Sequence, residues 1–160
     1  MTHLTILNGP NLNLLGEREP EIYGATTLPE IEQGCRALAG TLGIGIDFHQ
    51  SNFEGELINW IHAARKTSDA IVINPAGLSF HSIPLLDALK TFDGPIVEIH
   101  ISNIHARDAL HRHSILSTVA SGVICGIGPF GYSLALLAAS RMLGAAPAGM
   151  PDSLAALPTG

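Results

Sequence analysis

Cysteine is scarce in this chain of 160 residues. Its two cysteines, Cys35 and Cys125, form no Cys-x-x-Cys pair, which argues against a disulfide scaffold and against a zinc ribbon. A chain of this length buries roughly 70% of the surface that its unfolded form exposes, so a core can form without disulfides or a structural metal. We therefore expect a single domain in a reducing compartment, the cytoplasm.

Charged side chains are also few. Asp, Glu, Lys and Arg make up 14% of the residues, against roughly 25% in an ordinary soluble domain. The formal net charge is −6, whereas a nucleic-acid-binding domain is basic. Because the apolar fraction is an ordinary 46%, the low charge indicates that part of the surface is covered, and burial in an oligomer explains it best.

A membrane segment is the alternative explanation, since residues 114–140 contain no Asp, Glu, Lys, Arg or His. A spanning helix needs roughly 20 predominantly apolar residues. This run, however, is interrupted by Gly126-Ile127-Gly128-Pro129, which predicts a strand, a turn and a helix. The first residues also lack the basic start and the long apolar stretch of a secretory signal peptide.

Five apolar segments alternate with segments of helical period. The strand-like segments are 4–7, 44–48, 70–73, 96–101 and 122–125, and the helical ones are 28–42, 53–66, 82–91, 106–111 and 131–143. This alternation predicts an α/β domain over residues 1–143, a five-stranded parallel sheet of the flavodoxin-like type, doubly wound with helices on both faces. Residues 144–160 contain eleven Ala, Gly or Pro, and we expect this tail to be mostly disordered.

Two of the predicted helices begin with a capping pattern. Ser51-x-x-Glu54 predicts a capping box at the start of the second helix. Ser82, followed by Pro84, predicts the N-cap of the third.

Polar residues follow the strands at the points where the strands are predicted to end. They are Asn8, Asn11, residues 50–52, Asn74 and residues 100–103. Sites in doubly wound folds lie at the carboxyl ends of the strands, so we expect these residues to share one cleft.

The fourth predicted strand carries a carboxylate and an imidazole on the same face. Successive strand residues alternate faces, so Glu98, His100 and Ser102 share one side. A carboxylate inside a sheet is costly to bury unless it is paired, and His100 is the natural partner. Glu98 is then expected to orient His100 and keep it protonated as a general acid. The alternative is an edge strand with a solvated polar face.

The connection after the first strand, residues 9–25, exceeds the roughly two to six residues usual in α/β units. Loops of this length are typical of functional lids, and Gly16 and Gly24 are predicted hinges. Between them lie Arg18 and Tyr23. A guanidinium beside a phenol favours the phenolate, which is a base; the alternative is a packing or hydrogen-bonding pair.

Several separated segments together resemble the type II 3-dehydroquinate dehydratases. They are residues 6–16 (ILNGPNLNLLG), 18–20 (REP) with 23–24 (YG), 50–52 (QSN), 60–62 (WIH), 73–76 (INPA) and 98–107 (EIHISNIHAR). The resemblance runs in one register from about residue 4 to residue 143. It implies a flavodoxin-like fold, no cofactor, no metal and a homododecamer of four trimers.

The resemblance also implies a reaction, the anti elimination of water from 3-dehydroquinate to 3-dehydroshikimate through an enolate. Tyr23, as phenolate stabilised by Arg18, would remove the proton at carbon 2. His100, supported by Glu98, would protonate the hydroxyl that leaves carbon 1, while Asn11 holds a water against the enolate oxygen. The implied substrate contacts are Asn74 and Asp87 for the ring hydroxyls, Ile101 and Ser102 for the carboxylate, and Arg107, whose charge also helps tune Tyr23. Whether the reaction serves aromatic amino acid biosynthesis or quinate breakdown stays open.

Two positions depart from the pattern of that family. Phe80 stands where a substrate-binding His is usual, and His111 stands where a substrate-contacting Arg is usual. We expect the adjacent His81 and Arg112 to reach the pocket instead. This requires a rearrangement, because a shift by one residue rotates a side chain by about 100° in a helix. The altered pocket leaves open a lyase that acts on a related hydroxylated cyclic acid.

Three other interpretations compete with this one. Residues 126–131 fit the G-x-G-x-x-G dinucleotide pattern but follow the last strand, so close packing of strand and helix is the preferred interpretation. His105, His111 and His113 suggest a metal site, although no carboxylate or cysteine completes a recognisable ligand set. The third is a non-catalytic flavodoxin-like module that holds flavin. No nucleic acid or membrane partner is expected.

Overall fold

The computed structural model describes residues 1–158 and contains a five-stranded parallel sheet. The strands are β1 (His3–Asn8), β2 (Gly45–Gln50), β3 (Ala70–Asn74), β4 (Ile96–His100) and β5 (Gly122–Cys125), in the order β2-β1-β3-β4-β5. The helices are α1 (Pro20–Tyr23), α2 (Leu28–Leu42), α3 (Glu54–Thr67), α4 (Ile83–Leu89), α5 (Phe130–Met142) and α6 (Asp152–Ala155). This strand order is the flavodoxin-like one, which confirms the predicted fold class.

Helices cover both faces of the sheet, and the strands alternate between two apolar cores. Leu4 and Ile6 of β1 pack in the core under α2 and α5, while Leu7 packs in the core under α3 and α4. This double burial explains why the strands are almost continuously apolar. Within residues 1–158, no helix has the length and apolarity that crossing a membrane requires.

The register of the sheet brings the polar strand ends together. Asn8 pairs with Gln50 of β2 on one side and with Asn74 of β3 on the other. β4 lies between β3 and β5, with Glu98 beside Ile73. The edge-strand alternative for β4 is therefore wrong, and Glu98 is a carboxylate in the interior of the sheet.

One of the two predicted caps forms and the other does not. Ser82 caps α4, since its Oγ accepts a hydrogen bond from the Leu85 N–H at 3.1 Å. The capping box predicted from Ser51 is wrong, because helix α3 begins at Glu54 without a side-chain cap. Ser51 Oγ instead accepts from the Phe53 N–H at 2.9 Å, and the Glu54 carboxylate accepts from Ser82 Oγ at 2.5 Å.

The short helix predicted over residues 106–111 does not form, and this prediction is wrong. Two 3₁₀ turns, Ile104–Ala106 and Ala109–His111, occupy this region. Each turn begins with an acceptor side chain, Asn103 or Asp108, which takes a hydrogen bond from the backbone N–H two residues on. Such local bonds favour turns over a continuous helix.

Part of the C-terminal tail is helical. Helix α6 lies in this segment, and Ala155 at its end is buried. The Ala155 carbonyl accepts a hydrogen bond from Nε of Arg141 in α5. The domain boundary at residue 143 and the disorder of the tail stay predictions, and residues 159–160 lie outside the described residues.

Alkaline pH is expected to destabilise the fold through Cys35. This thiol is buried in the core under α2, and burial raises its pKa to about 11. The unfolded chain releases the same proton nearer pH 9.0. The contribution to stability is therefore complete below that pH and is lost as the pH rises towards 11.

Replacing Cys35 by Ala is expected to remove about 2 kcal/mol of the decline in unfolding free energy across that pH range. Urea unfolding at a series of pH values measures the decline. Cys125→Ala is the matched control, since Cys125 is only partly buried. An unchanged slope in the Cys35→Ala variant would contradict the prediction.

Candidate active site

A cavity opens at the carboxyl ends of β1, β3 and β4. Eight of the residues predicted for the site line it, namely Asn11, Arg18, Tyr23, Asn74, His100, Ile101, Ser102 and Arg107. They come from the last residues of β3 and β4 and from the segments that follow β1 and β4. The parallel topology therefore assembles them from distant parts of the chain.

His100, the last residue of β4, faces this cavity with Glu98 behind it. Nε2 of His100 lies 2.5 Å from Oε2 of Glu98, and the two side chains are 5% and 1% exposed. Ser117 Oγ donates to the same carboxylate, at 3.0 Å from Oε1 and 3.1 Å from Oε2. A buried carboxylate needs such partners, because its desolvation is otherwise uncompensated. With Nε2 engaged, Nδ1 is the ring nitrogen available to a ligand.

Tyr23, at the end of α1, lies near two guanidinium groups. Cζ of Arg18 is 5.8 Å from the centroid of its ring, and Cζ of Arg107 is 5.7 Å away. Arg18 belongs to the same loop as Tyr23, whereas Arg107 arrives from the segment after β4. Cations at this distance are attracted to the face of the aromatic ring.

The loop that carries Arg18 and Tyr23 is attached to the core at its beginning. Leu12 and Leu15 are buried in the core that α2 and α5 cover. Gly16 follows at a φ of +89°, where a Cβ would lie 2.8 Å from the Ala25 carbonyl oxygen. Only glycine fits this turn without a clash.

Asn11 is held by residues that follow β2. It has a left-handed φ of 69°, and its N–H donates to Oδ1 of Asn52 at 2.9 Å. Nε2 of Gln50 donates to the same oxygen at 3.1 Å and to the Gly9 carbonyl at 3.2 Å. Residues 50–52, predicted in the cleft, therefore support Asn11 and do not themselves line the cavity.

Asn74 is oriented by a buried phenol. Tyr132 Oη accepts from Nδ2 of Asn74 at 3.1 Å and donates to Oδ1 of Asn8 at 2.6 Å. The Ala76 N–H donates to Oδ1 of Asn74 at 3.3 Å, so both ends of the amide are engaged. Burial raises the pKa of Tyr132 above its ordinary value, and the hydroxyl therefore stays a neutral donor.

Three predicted substrate contacts lie outside the cavity. Asp87, His81 and Arg112 are exposed and none of them lines it. Nε of Arg112 donates to the Arg107 carbonyl at 2.7 Å. The structure of the single chain therefore does not bring these three residues to the other site residues.

Phe80 and His111 line the cavity in place of His81 and Arg112. Residues 76–80 form a 3₁₀ helix that ends at Phe80, and His81 after it has an extended φ of −159°. The chain therefore leaves the helical path at His81, and its side chain stays in solvent. His81 and Arg112 do not line the cavity of the single chain, and their contact with a substrate stays a prediction.

Ser117 and Tyr132 are supporting residues that the sequence alone does not identify. Ser117 lies in a 3₁₀ turn, 19 residues from the carboxylate that it contacts. For Tyr132 a signal exists, since a phenol inside an apolar helix needs a hydrogen-bond partner when it is buried. Nothing in the sequence indicates that its partners are Asn8 and Asn74.

The glycine-rich turn between β5 and α5 approaches the loop that follows β4. A Cβ on Gly126, whose φ is +89°, would lie 3.0 Å from Cβ of Asn103 in that loop. The interpretation as close packing of strand and helix stays a prediction. Within residues 1–158, no three His, Cys, Asp or Glu side chains are grouped to hold a metal ion.

Comparison with known proteins gives a consistent result. The family model "Dehydroquinase class II" matches residues 2–140. The chain is 55% identical over 136 residues to 3-dehydroquinate dehydratase 2 of Agrobacterium fabrum, which covers 85% of this chain and 92% of that protein. It is 50% identical over 133 residues to the 3-dehydroquinate dehydratase of Thermus thermophilus, covering 82% and 89%.

Solved structures agree with these sequence matches. The type II dehydroquinase from Propionibacterium acnes superposes with a TM-score of 0.83 at 40% identity, over 85% of this chain and 94% of that one. The type II dehydroquinase from Butyrivibrio crossotus has a TM-score of 0.85 at 33% identity, over 87% and 97%. On the family model, the relatives and the shared fold, the chain belongs to the class II dehydroquinases.

Proposed function

We propose that this dehydroquinase converts 3-dehydroquinate to 3-dehydroshikimate by anti elimination of water through an enolate. One observation carries the proposal: a tyrosine near two guanidinium groups and a buried Glu98–His100 pair open on the same cavity. The elimination needs a base, an acid and a stabiliser of the enolate. The cavity contains a candidate for each.

Proton abstraction comes first. Tyr23, as phenolate, takes the proton from carbon 2, and the electron pair of that C–H bond forms the carbon 2–carbon 3 double bond of the enolate. The charge moves to the former ketone oxygen at carbon 3, where Asn11 holds a water that donates to it. Arg18 and Arg107 place positive charge beside Tyr23, since both guanidinium groups lie within 6 Å of the centroid of its ring.

Loss of water follows. The oxygen lone pair of the enolate re-forms the ketone at carbon 3, and the electrons of the carbon 2–carbon 3 double bond form the carbon 1–carbon 2 double bond. The bond from carbon 1 to its hydroxyl breaks, and its electron pair stays on the leaving oxygen. His100 transfers a proton to the leaving hydroxyl, which departs as water, and the hydrogen bond between Glu98 and Nε2 holds the imidazole in position for this transfer. Tyr23 has gained a proton and His100 has lost one, so exchange with solvent restores both.

The remaining residues of the cavity hold the substrate. The amide nitrogen of Asn74 carries two N–H groups. One donates to Tyr132 Oη, and the other contacts a ring hydroxyl of the substrate. The backbone N–H groups of Ile101 and Ser102, with the Ser102 hydroxyl, receive the carboxylate, and Arg107 adds positive charge beside them.

A steady-state assay tests this function. The purified protein is expected to be colourless and to raise the ultraviolet absorbance of a 3-dehydroquinate solution, because the product is a conjugated enone. Borohydride reduction in the presence of substrate is expected to trap no adduct, since the mechanism uses no Schiff base. A yellow protein without turnover would favour the flavin-binding alternative.

A second candidate function rests on the presence of Phe80 and His111 in the cavity. Both replace residue types that are usual at these positions, so the pocket suits a related hydroxylated cyclic acid as an alternative substrate. A panel of such acids assayed beside 3-dehydroquinate distinguishes the two. Faster turnover of another acid would favour this second function.

We further propose that the protein assembles as a homododecamer of four trimers in the cytoplasm. The uncharged run of residues 114–140 supports burial against other copies, as do the exposed apolar side chains of Phe53, Ile83 and Phe130. Closed symmetric assemblies are the usual form of such oligomers.

Light scattering is expected to give a mass of about 200 kDa for this assembly of 16.8 kDa chains. The measurement is made at micromolar protein concentration and at two salt concentrations, because apolar contacts resist salt. A monomer under these conditions would contradict the proposal.

A further inference from the structure

His111 places an imidazole in the wall of the cavity, and its orientation is defined. Its Nδ1 lies 2.9 Å from both Oδ1 and Oδ2 of Asp108. Its ring packs against that of Phe80 in a T-shaped arrangement, with the centroids 5.4 Å apart and the planes at 80°. The ring is therefore held by a carboxylate on one side and by an aromatic side chain on another.

The carboxylate of Asp108 is itself anchored. Its Oδ1 accepts from the Leu110 N–H at 2.9 Å, which caps the 3₁₀ turn that ends at His111. The hydrogen bond from His111 lowers the pKa of Asp108, so this carboxyl is ionised at neutral pH. An ionised Asp108 accepts from Nδ1–H, which selects one tautomer of His111.

In this tautomer Nε2 is the free nitrogen of the ring. No hydrogen bond from residues 1–158 reaches it, although His111 lines the cavity. Neutral imidazole presents a lone pair at Nε2, and imidazolium presents an N–H. A hydroxyl group complements either form, because it both donates and accepts, whereas a carboxylate complements only the protonated form.

We infer that His111, positioned by Asp108, binds a ring hydroxyl of the substrate through Nε2. This inference rests on the proposed function and specifies one contact within it. The guanidinium groups of Arg18 and Arg107 in the same cavity only donate. In its neutral form His111 supplies an acceptor that these two cations lack, and it does so from a position where the resemblance to the family implies an Arg.

Phe80 completes the arrangement. Its ring also stacks on His100, with the centroids 6.5 Å apart and the planes at 27°. A single aromatic side chain thus lies between the proposed acid and the proposed hydroxyl contact.

Steady-state kinetics on 3-dehydroquinate test the inference. His111→Ala is expected to raise KM by roughly 5- to 100-fold while kcat changes less than about threefold, because the contact is made equally in the ground and transition states. Asp108→Ala is expected to raise KM in the same way. Asp108→Asn keeps an acceptor for Nδ1–H and for the Leu110 N–H, and its KM is expected within about threefold of wild type.

The double variant Asp108→Ala with His111→Ala separates positioning from a structural role. If Asp108 acts through His111, the double variant is no worse than His111→Ala alone. Additive losses would overturn the positioning role. His113→Ala is the matched control, an exposed histidine two residues away that does not line the cavity, and its KM is expected to match wild type.

The two possible failures are distinguishable. A wild-type protein that does not turn over 3-dehydroquinate overturns the proposed function and this inference with it. An active wild type whose KM is unchanged by His111→Ala, or whose kcat falls instead, overturns the inference alone.

Discussion

Replacing Tyr23 by Phe is expected to lower kcat on 3-dehydroquinate by about 10² to 10⁴-fold. The change removes only the phenol oxygen, which takes the proton from carbon 2 in the proposed mechanism. Tyr23 is partly buried, and within residues 1–158 its hydroxyl makes no hydrogen bond that would be lost in the variant. Stability and assembly are therefore expected to match wild type.

The measurement combines kcat with circular dichroism and light scattering on the same preparations. Glu17→Gln is the control, since Glu17 lies in the same loop, is exposed and does not line the cavity. A Tyr23→Phe enzyme within about threefold of wild-type kcat would show that another group is the base.

Removing His100 is expected to affect both rate and stability. His100→Ala deletes the proposed acid, so kcat is expected to fall by about 10² to 10⁴-fold. It also leaves the buried Glu98 carboxylate without its imidazole partner. Removing one partner of a buried pair lowers the free energy of unfolding by about 3–5 kcal/mol. The Ser117 hydroxyl then remains as the hydrogen-bond donor to that carboxylate.

Adding Glu98→Gln to His100→Ala separates the two effects. The neutral amide needs no counter-charge and still accepts from Ser117, so unfolding free energy is expected to recover in part. The kcat is not expected to recover, because the acid is still absent. Recovery of kcat in the double variant would contradict the role of His100, and stability unaffected by His100→Ala alone would contradict the buried pair.

The sequence pattern of β4 shows how far prediction reaches. Alternation along a strand is a local rule, so Glu98 and His100 could be placed on one face before the structure was known. The fold class was also predictable, because strands that alternate with helices along the chain are compatible with few topologies. Ser117 escaped prediction because its contact with Glu98 depends on how a loop crosses the finished sheet.

Local signals failed where a tertiary contact competed with them. Ser51 and Glu54 have the spacing of a capping box, but Glu54 bonds to Ser82 from another helix instead. Phe80 shows the limit of a residue-by-residue comparison. A step of one residue rotates a side chain by about 100° in an α-helix and by about 120° in a 3₁₀ helix such as residues 76–80, so Phe80 lines the cavity while His81 lies outside it.

The attachment of the long loop through Leu12 and Leu15 sets how the pocket can open. Lifting the entire loop would expose both leucines to water, at about 1.5–3 kcal/mol for each. Fewer than about one molecule in a hundred would then be open at equilibrium. Residues 17–24, in contrast, contain no buried side chain, and glycines at positive φ stand at residues 16 and 24. Opening at residues 17–24 alone is therefore expected to cost less free energy than lifting the entire loop, and it would move Arg18 and the proposed base Tyr23 while Leu12 and Leu15 keep the wall beneath them in place.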